Sequence, residues 1–240
     1  MGDDEQARRL LRDTLTRGRR VLGRDHPDTL TTATLLGGVF WSLNNNTKAR
    51  EVLEDTFIRS RRMLGDDNPV TMRSAILLGL VTAALGEQQQ ARRLLEGAFA
   101  RSRRTQGENH PETLRAASYL CLALGWWNEH QRARQLQGDT FARFRRVLGD
   151  DHPDTLTSAS WLAANLRELG KYRQARALDQ VTLDKRRQRL GNEHPDTLAS
   201  VEDLAANHRA LGEPGPDQRA ARRASSSGAA FEVPPVRRSL

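Results

Sequence analysis

The chain has 240 residues, 37% of them apolar and 5% aromatic, with 38 Lys and Arg against 30 Asp and Glu for a net charge of +8. That length suffices for one large domain or a repeat array with a continuous core; no apolar run reaches bilayer-spanning length and the polar start, MGDDEQARR, is unlike a signal peptide, so the expected location is cytoplasmic, with no membrane partner. The single cysteine, Cys121, excludes an intramolecular disulfide framework and argues against a cysteine-built metal site.

The first element is a helix over residues 4–22, DEQARRLLRDTLTRGRRVL, stopped by Gly23. HPDTL then begins at His26, and near-copies follow at a step of 42: NPVTM at Asn68, HPETL at His110, HPDTL at His152 and again at His194. Three further series keep the step: Gly23, Gly65, Gly107, Gly149 and Gly191; Asn44, Gly86, Asn128, Gly170 and Gly212; Ala7, Ala49, Ala91, Ala133 and Ala175, each followed by Arg. Four registers with one period identify a repeat protein, whose units contact mainly their neighbours.

Gly and Asn tolerate the left-handed conformation that closes a helix, so each unit divides into a first helix, from the pentapeptide to the Asn/Gly series, and a second, from there to the next glycine. In the fourth unit these read PDTLTSASWLAANLREL and YRQARALDQVTLDKRRQRL, with Leu156, Ala159, Leu162, Ala163 and Leu166 at helical spacing. The array closes on a first helix over 196–211, giving nine helices in residues 4–212. Pro214 and Pro216 then fall where its partner would start, and residues 213–240, with SSSG and PP, read as a flexible tail. Within it DQRAARRA, residues 217–224, has the composition of a short helix.

The pentapeptide is a helix start. Proline suits the first turn, where its missing N–H costs nothing, the following acid favours the positive helix end, and His or Asn ahead of it offers an acceptor to the exposed amides. One such residue per unit, a repeat apart, cannot converge on a metal or a substrate.

These residues resemble the tetratricopeptide repeat in its long, kinesin-light-chain-like form, which carries LG-x-x-HPD between units and G-x-Y-x-x-A between the helices of a unit. The matches are LGDDHPDTL at 148–156 and GKYRQA at 170–175. The resemblance implies an all-α, right-handed superhelical solenoid of helix pairs over residues 1–212. It places Leu36, Leu78, Leu120, Leu162 and Leu204 as first-helix core leucines. Gly37, Gly79, Cys121, Ala163 and Ala205 become the small residues at the helix crossings, so Cys121 reads as a buried apolar side chain.

In that family the first helices line a concave groove that holds a peptide or partner helix. Carried over by position, the groove comprises Thr34, Trp41, Arg73, Ile76, Leu80, Arg115, Ser118, Leu122, Trp126, Arg167, Glu168, Glu202 and Arg209, with Trp41 and Trp126 as expected binding anchors. Where the family pattern has paired asparagines, this chain has Thr34-Leu35, Ile76-Leu77, Ser118-Tyr119 and Ser160-Trp161. Trp127 and Trp161 are expected in helix packing rather than in contact with a partner.

The second helices carry an arginine ladder, Arg19, Arg61, Arg103, Arg145 and Arg187, beside a row of Arg17, Arg59, Arg101, Arg143 and Lys185. Nucleic-acid binding is the alternative function this suggests; the favoured reading pairs the ladder with loop acids such as Asp25, Asp66, Asp67 and Glu108. No nucleotide-binding, metalloprotease or serine-hydrolase motif occurs, so the expected function is non-enzymatic protein–protein interaction, with no cofactor and no metal. Repeats of this kind in GC-rich bacteria often form the sensor end of larger signalling proteins. Because the array opens on a second helix and closes on a first, head-to-tail self-association is a further expectation. Leu10, Leu11 and Leu15 supply the apolar residues of the opening helix, some of them packing against the next unit, and Leu204 and Leu211 would lose part of their cover at the other end.

Overall fold

Each first helix starts on its pentapeptide through one repeated hydrogen bond. Nδ1 of His26, His110, His152 and His194 accepts from the backbone N–H two residues on at 3.1–3.2 Å, and Oδ1 of Asn68 accepts from Val70 N at 2.9 Å. All five caps thus do what the sequence predicts. Helices end on residues with positive φ, such as Gly65 at 84° and Asn44 at 56°, conformations that favour Gly and Asn.

In the computed structural model, which describes residues 2–213 with side chains from residue 5, the elements run α1 (Gly2–Val21), α2 (Pro27–Ser42), α3 (Asn46–Leu64), α4 (Pro69–Ala84), α5 (Gln88–Gln106), α6 (Pro111–Trp126), α7 (His130–Leu148), α8 (Pro153–Glu168), α9 (Tyr172–Leu190) and α10 (Pro195–Ala210). The described residues therefore hold ten helices rather than nine, because an opening second helix, four complete pairs and a closing first helix make one more than the expected count. The fold is an all-α repeat solenoid. The expected tail and its short helix, from residue 214 on, lie outside the described residues. By compactness the chain divides into residues 1–165 and 166–240.

The first unit has an apolar interior through α5, with Gln137 of α7 as a buried polar exception at the register of Leu53 and Leu95. Leu53 and Leu95 on the second helices are fully buried, each seated against a glycine on the preceding first helix. A Cβ added at Gly37 would lie 2.5 Å from Leu53 Cγ and Cδ2, and one at Gly79 would lie 2.7 Å from Leu95 Cγ. Cys121 takes the same crossing position, and burial pushes its thiol well above the usual range, so it is no nucleophile. Leu36, Leu78 and Leu120 are buried as expected; Leu162 is half-buried.

The second unit replaces part of this interior with polar groups. At the register of Leu53 and Leu95 stands Asp179, at that of Phe144 stands Arg186, and at that of Val81 stands Asn207, all buried. Arg167 bridges Asp179 (2.6 Å) and Asp203 (2.7 Å), and Asn207 Nδ2 donates to Asp179 (2.7 Å). Arg186 donates to Ser200 Oγ (2.7 Å) and the Asp196 carbonyl (3.1 Å). Burial outweighs the Arg167 attraction and pushes the Asp179 carboxyl up to about 6, with Asp203 adding to the rise. Leu204 is buried here, contrary to the expected partial loss of cover, and Leu15 is buried in the first unit as one of the α1 leucines that pack on the next unit. Their side chains point into the helix pair, and the exposure falls instead on Leu198 and Leu10.

Two predictions follow from this packing. Gly37→Ala gains about 1 kcal/mol of helix propensity but overpacks against Leu53 at a cost of about 1–3 kcal/mol, so urea denaturation should show net destabilisation. Combined with Leu53→Ala, which alone removes about 2–5 kcal/mol, it should cost less than the sum, because the smaller side chain leaves room for the added methyl. For Asp179 the folded pKa lies above its ordinary 3.8, so the folded state holds this proton more tightly than the unfolded chain. Its contribution to stability is therefore full at low pH and lost as pH rises through about 6. Asp179→Asn should remove this part of the pH dependence of α9–α10 opening, on the order of 2 kcal/mol, read by hydrogen exchange between pH 4 and pH 7.

Candidate functional site

In residues 1–165 the first helices α2, α4 and α6 and the start of α8 present one face at the 42-residue step. The cap fixes each helix start, so residues at equal distances from the five caps occupy equivalent positions. An alternating charge chain runs along this face: Arg73 donates to Glu112 (2.8 Å), Glu112 also accepts from Arg115 (2.5 Å), and Arg115 Nε donates to Asp154 (3.0 Å). Burial alone would lower the Arg115 pKa; its hydrogen bond with Asp154 and the nearby carboxylates raise it instead, so the guanidinium stays charged. Burial pushes the neighbouring Tyr119 hydroxyl up, keeping it a neutral donor.

Tyr119 and Trp161 meet with ring centroids 5.6 Å apart and planes tilted by 52°. Together with Arg115, Ser118, Asp154 and Thr157 they line a notch of about 50 Å³. Two turns along α6 from Tyr119, on the same side of the helix, Trp126 is 47% exposed. The arrangement offers two aromatic faces, an exposed indole, a cation and a carboxylate. A second, larger cavity of about 270 Å³ lies among the second-helix residues Phe57, Leu94 and Arg101 and the α4 residue Met72.

The carried-over groove residues separate under this geometry. Arg73, Arg115, Leu122 and Trp126 lie on the described face, Leu122 half-buried against the core. Thr34, Ile76 and Leu80 are corrections: all three are buried, while Ser118, also buried, lines the notch. Thr34 Oγ1 is turned back to the Leu30 carbonyl (2.9 Å), and Ile76 and Leu80 belong to the core. Trp41 packs against both core clusters. In the second unit Arg167 is tied to Asp179 and Asp203, while Glu168, Glu202 and Arg209 are exposed. The positions missed by the carry-over are the second members of the pairs, exposed Leu35 and half-buried Leu77, Tyr119 and Trp161, of which Leu77 and Tyr119 also pack on the core, a row the 42-residue step alone would have singled out. Trp127 packs against the core, with the Arg92 guanidinium 4.6 Å from its ring centre.

Three of the five ladder arginines meet acids in the next loop. Arg61 meets Asp66 (2.7 Å), Arg103 meets Glu108 (3.3 Å) and Arg145 meets Asp150 (2.6 Å), while Arg59 and Arg62 converge on Asp25 at 2.9 and 3.1 Å. These are exposed pairs of about 0–1 kcal/mol each. Among the described residues no three His, Cys, Asp or Glu side chains cluster so as to hold a metal, and no helix is long and apolar enough to cross a membrane.

Tetratricopeptide-repeat family models match residues 1–61 and 128–188, and a second such model matches residues 71–112. No curated protein matches the chain. Among solved structures, BtubC (BKLC) from P. vanneervenii is similar with a TM-score of 0.70 and 17% identity, over 99% of this chain and 97% of that one. A putative kinesin light chain with nearly identical TPR-like repeats from P. anserina gives a TM-score of 0.66 and 26% identity, over 85% of this chain and 99% of that one. A single-substitution variant of the latter gives 0.64 at 26%, over 84% and 93%. With the 42-residue step, the capped helix pairs and these matches together, the chain belongs to the tetratricopeptide-repeat family, in its kinesin-light-chain-like form.

Proposed function

We propose that this chain is a non-catalytic interaction module that holds a peptide or partner helix against the first-helix face of residues 1–165. The observation that carries the reading is the notch of Tyr119, Trp161, Arg115 and Asp154 beside the exposed Trp126. Tetratricopeptide repeats generally serve protein–protein interaction, and solved relatives share the fold. Aromatic side chains in partly desolvated pockets are the usual binding hot spots. The paired guanidinium and carboxylate would set the direction of a bound backbone by offering it a donor and an acceptor. Of the groove residues expected from sequence, the proposal keeps Arg73, Arg115, Ser118, Leu122 and Trp126 and adds Tyr119 and Trp161. The nucleic-acid alternative is disfavoured because ladder arginines are already engaged by loop carboxylates.

A random peptide library panned against the full chain tests the reading. Selected peptides should lose at least about tenfold in affinity, 1.4 kcal/mol, on Trp126→Ala or Tyr119→Ala, with little change in melting temperature for the exposed Trp126. Trp41→Ala should instead lower the melting temperature, since that ring packs on both core clusters. Selection of no peptide, or of peptides indifferent to both groove substitutions, would count against the site. Sub-micromolar binding to duplex or single-stranded nucleic acid at physiological salt, with a steep salt slope, would favour the alternative.

A further inference from the structure

Comparing each residue with its counterparts 42 residues away shows where a helix lacks its neighbour. On α1, Ala7 is half-exposed, whereas Ala49, Ala91, Ala133 and Ala175 are fully buried; Leu10 is 67% exposed, whereas Val52, Leu94, Leu136 and Leu178 are half-buried. On α10, Leu198 is 47% exposed, whereas Leu30, Met72, Leu114 and Leu156 are at most 5% exposed. Val201 and Ala205 are half-buried where their counterparts, such as Ala117 and Cys121, are buried. The two faces are open in opposite senses. The face on α1 is the one a first helix covers elsewhere, and the face on α10 is the one a second helix covers.

Charge repeats the pattern. In the first unit three loop residues, placed three before Asp28, Val70 and Glu112, accept from the arginines 34 and 37 residues on. Asp25 accepts from Arg59 and Arg62, Asp67 from Arg101 and Arg104, and Asn109 from Arg143 and Arg146. Asp151 and then Glu193 continue this register, and Arg17 and Arg20 are donors of the same register; among the described residues Glu193, Arg17 and Arg20 have no hydrogen-bond or ion-pair partner. Arg24, moreover, stands where Asp66, Glu108 and Asp150 neutralise Arg61, Arg103 and Arg145, so the end of α1 keeps its positive charge.

We propose that these faces are the two halves of a head-to-tail interface between copies of this chain, with α1 of one molecule seated as the second helix after α10 of another. In that register Leu11 falls beside Ala205 as Leu53 does beside Gly37, Leu10 and Leu198 are both covered, and Arg17 and Arg20 reach Glu193 as Arg59 and Arg62 reach Asp25. The occupant is thus a second copy, selected by matching apolar faces and by a donor pair facing its missing acceptor. Such a contact is heterologous, so it builds rings or open chains rather than a symmetric dimer.

Light scattering on the full chain tests this. The weight-average mass should at least double as concentration rises from micromolar to millimolar. Leu10→Glu and Leu198→Glu, both at exposed positions, should each hold the chain at monomer mass with unchanged helical circular dichroism. An equimolar mixture of the two should give a dimer and nothing larger, since one intact head meets one intact tail. Independently, Glu193→Arg should weaken assembly at least tenfold, and Arg17→Glu with Arg20→Glu in the same chain should restore it. A monomeric unmodified chain at every concentration overturns the proposal, as it would if residues 214–240 or another protein were the true cover. Assembly indifferent to all of these substitutions, or a mixture that stays monomeric, overturns it equally.

Discussion

A pair of antiparallel helices of this length cannot bury its own apolar side chains, and the rest of the structure follows from that. Leu53 and Leu95 need a helix on each side, and the glycines at 37 and 79 let the backbone of one first helix come close enough to supply it. Close approach fixes the crossing, the crossing fixes the step from unit to unit, and the step must then be held by every register at once. Stability in such an array is a sum over neighbouring interfaces, so a unit gains its fold by what lies next to it. The loop arginines and acids add little energy to each junction but space the second helices evenly.

The face proposed to bind a partner is a by-product of the same arithmetic. With one side of each first helix given to the core, the other carries whatever the sequence places at one position per unit. Here that position runs Leu35, Leu77, Tyr119 and Trp161, growing more aromatic along the first unit, and the charges around it are paired rather than free. Such a surface discriminates by shape and directed hydrogen bonds more than by net charge.

Most of the fold is legible in the sequence because caps, stops and core leucines are local, strictly periodic signals. His26 and its counterparts announce helix starts by residue type alone. The face of each helix is harder to read, since it depends on how neighbours cross. Thr34 and Ile76 sit one residue before Leu35 and Leu77, and Leu80 one turn beyond Leu77; position alone gives them to the groove, yet the crossing turns them inward. Trp41 shows the same limit: an indole near a helix end reads as an anchor until two core clusters are seen to close on it. Nor does any local signal reveal that Asp179, Arg186 and Asn207 are interior, because polar residues there break the apolar periodicity by which interiors are recognised.

Those interior polar groups bear on how a self-similar chain avoids assembling out of order. Units this alike invite a first helix to pair with the wrong second helix during folding, since leucine against leucine is nearly as good in any register. Placed against α5, α10 would bury the Asn207 amide on Leu95 with no partner, a penalty of about 1–3 kcal/mol, whereas against α9 the amide meets Asp179 at 2.7 Å. A charged and amide-bearing interior, poorer as glue than the leucines it replaces, therefore gives the last helix pair an address that α3 and α5, with Leu53 and Leu95 at that register, cannot satisfy.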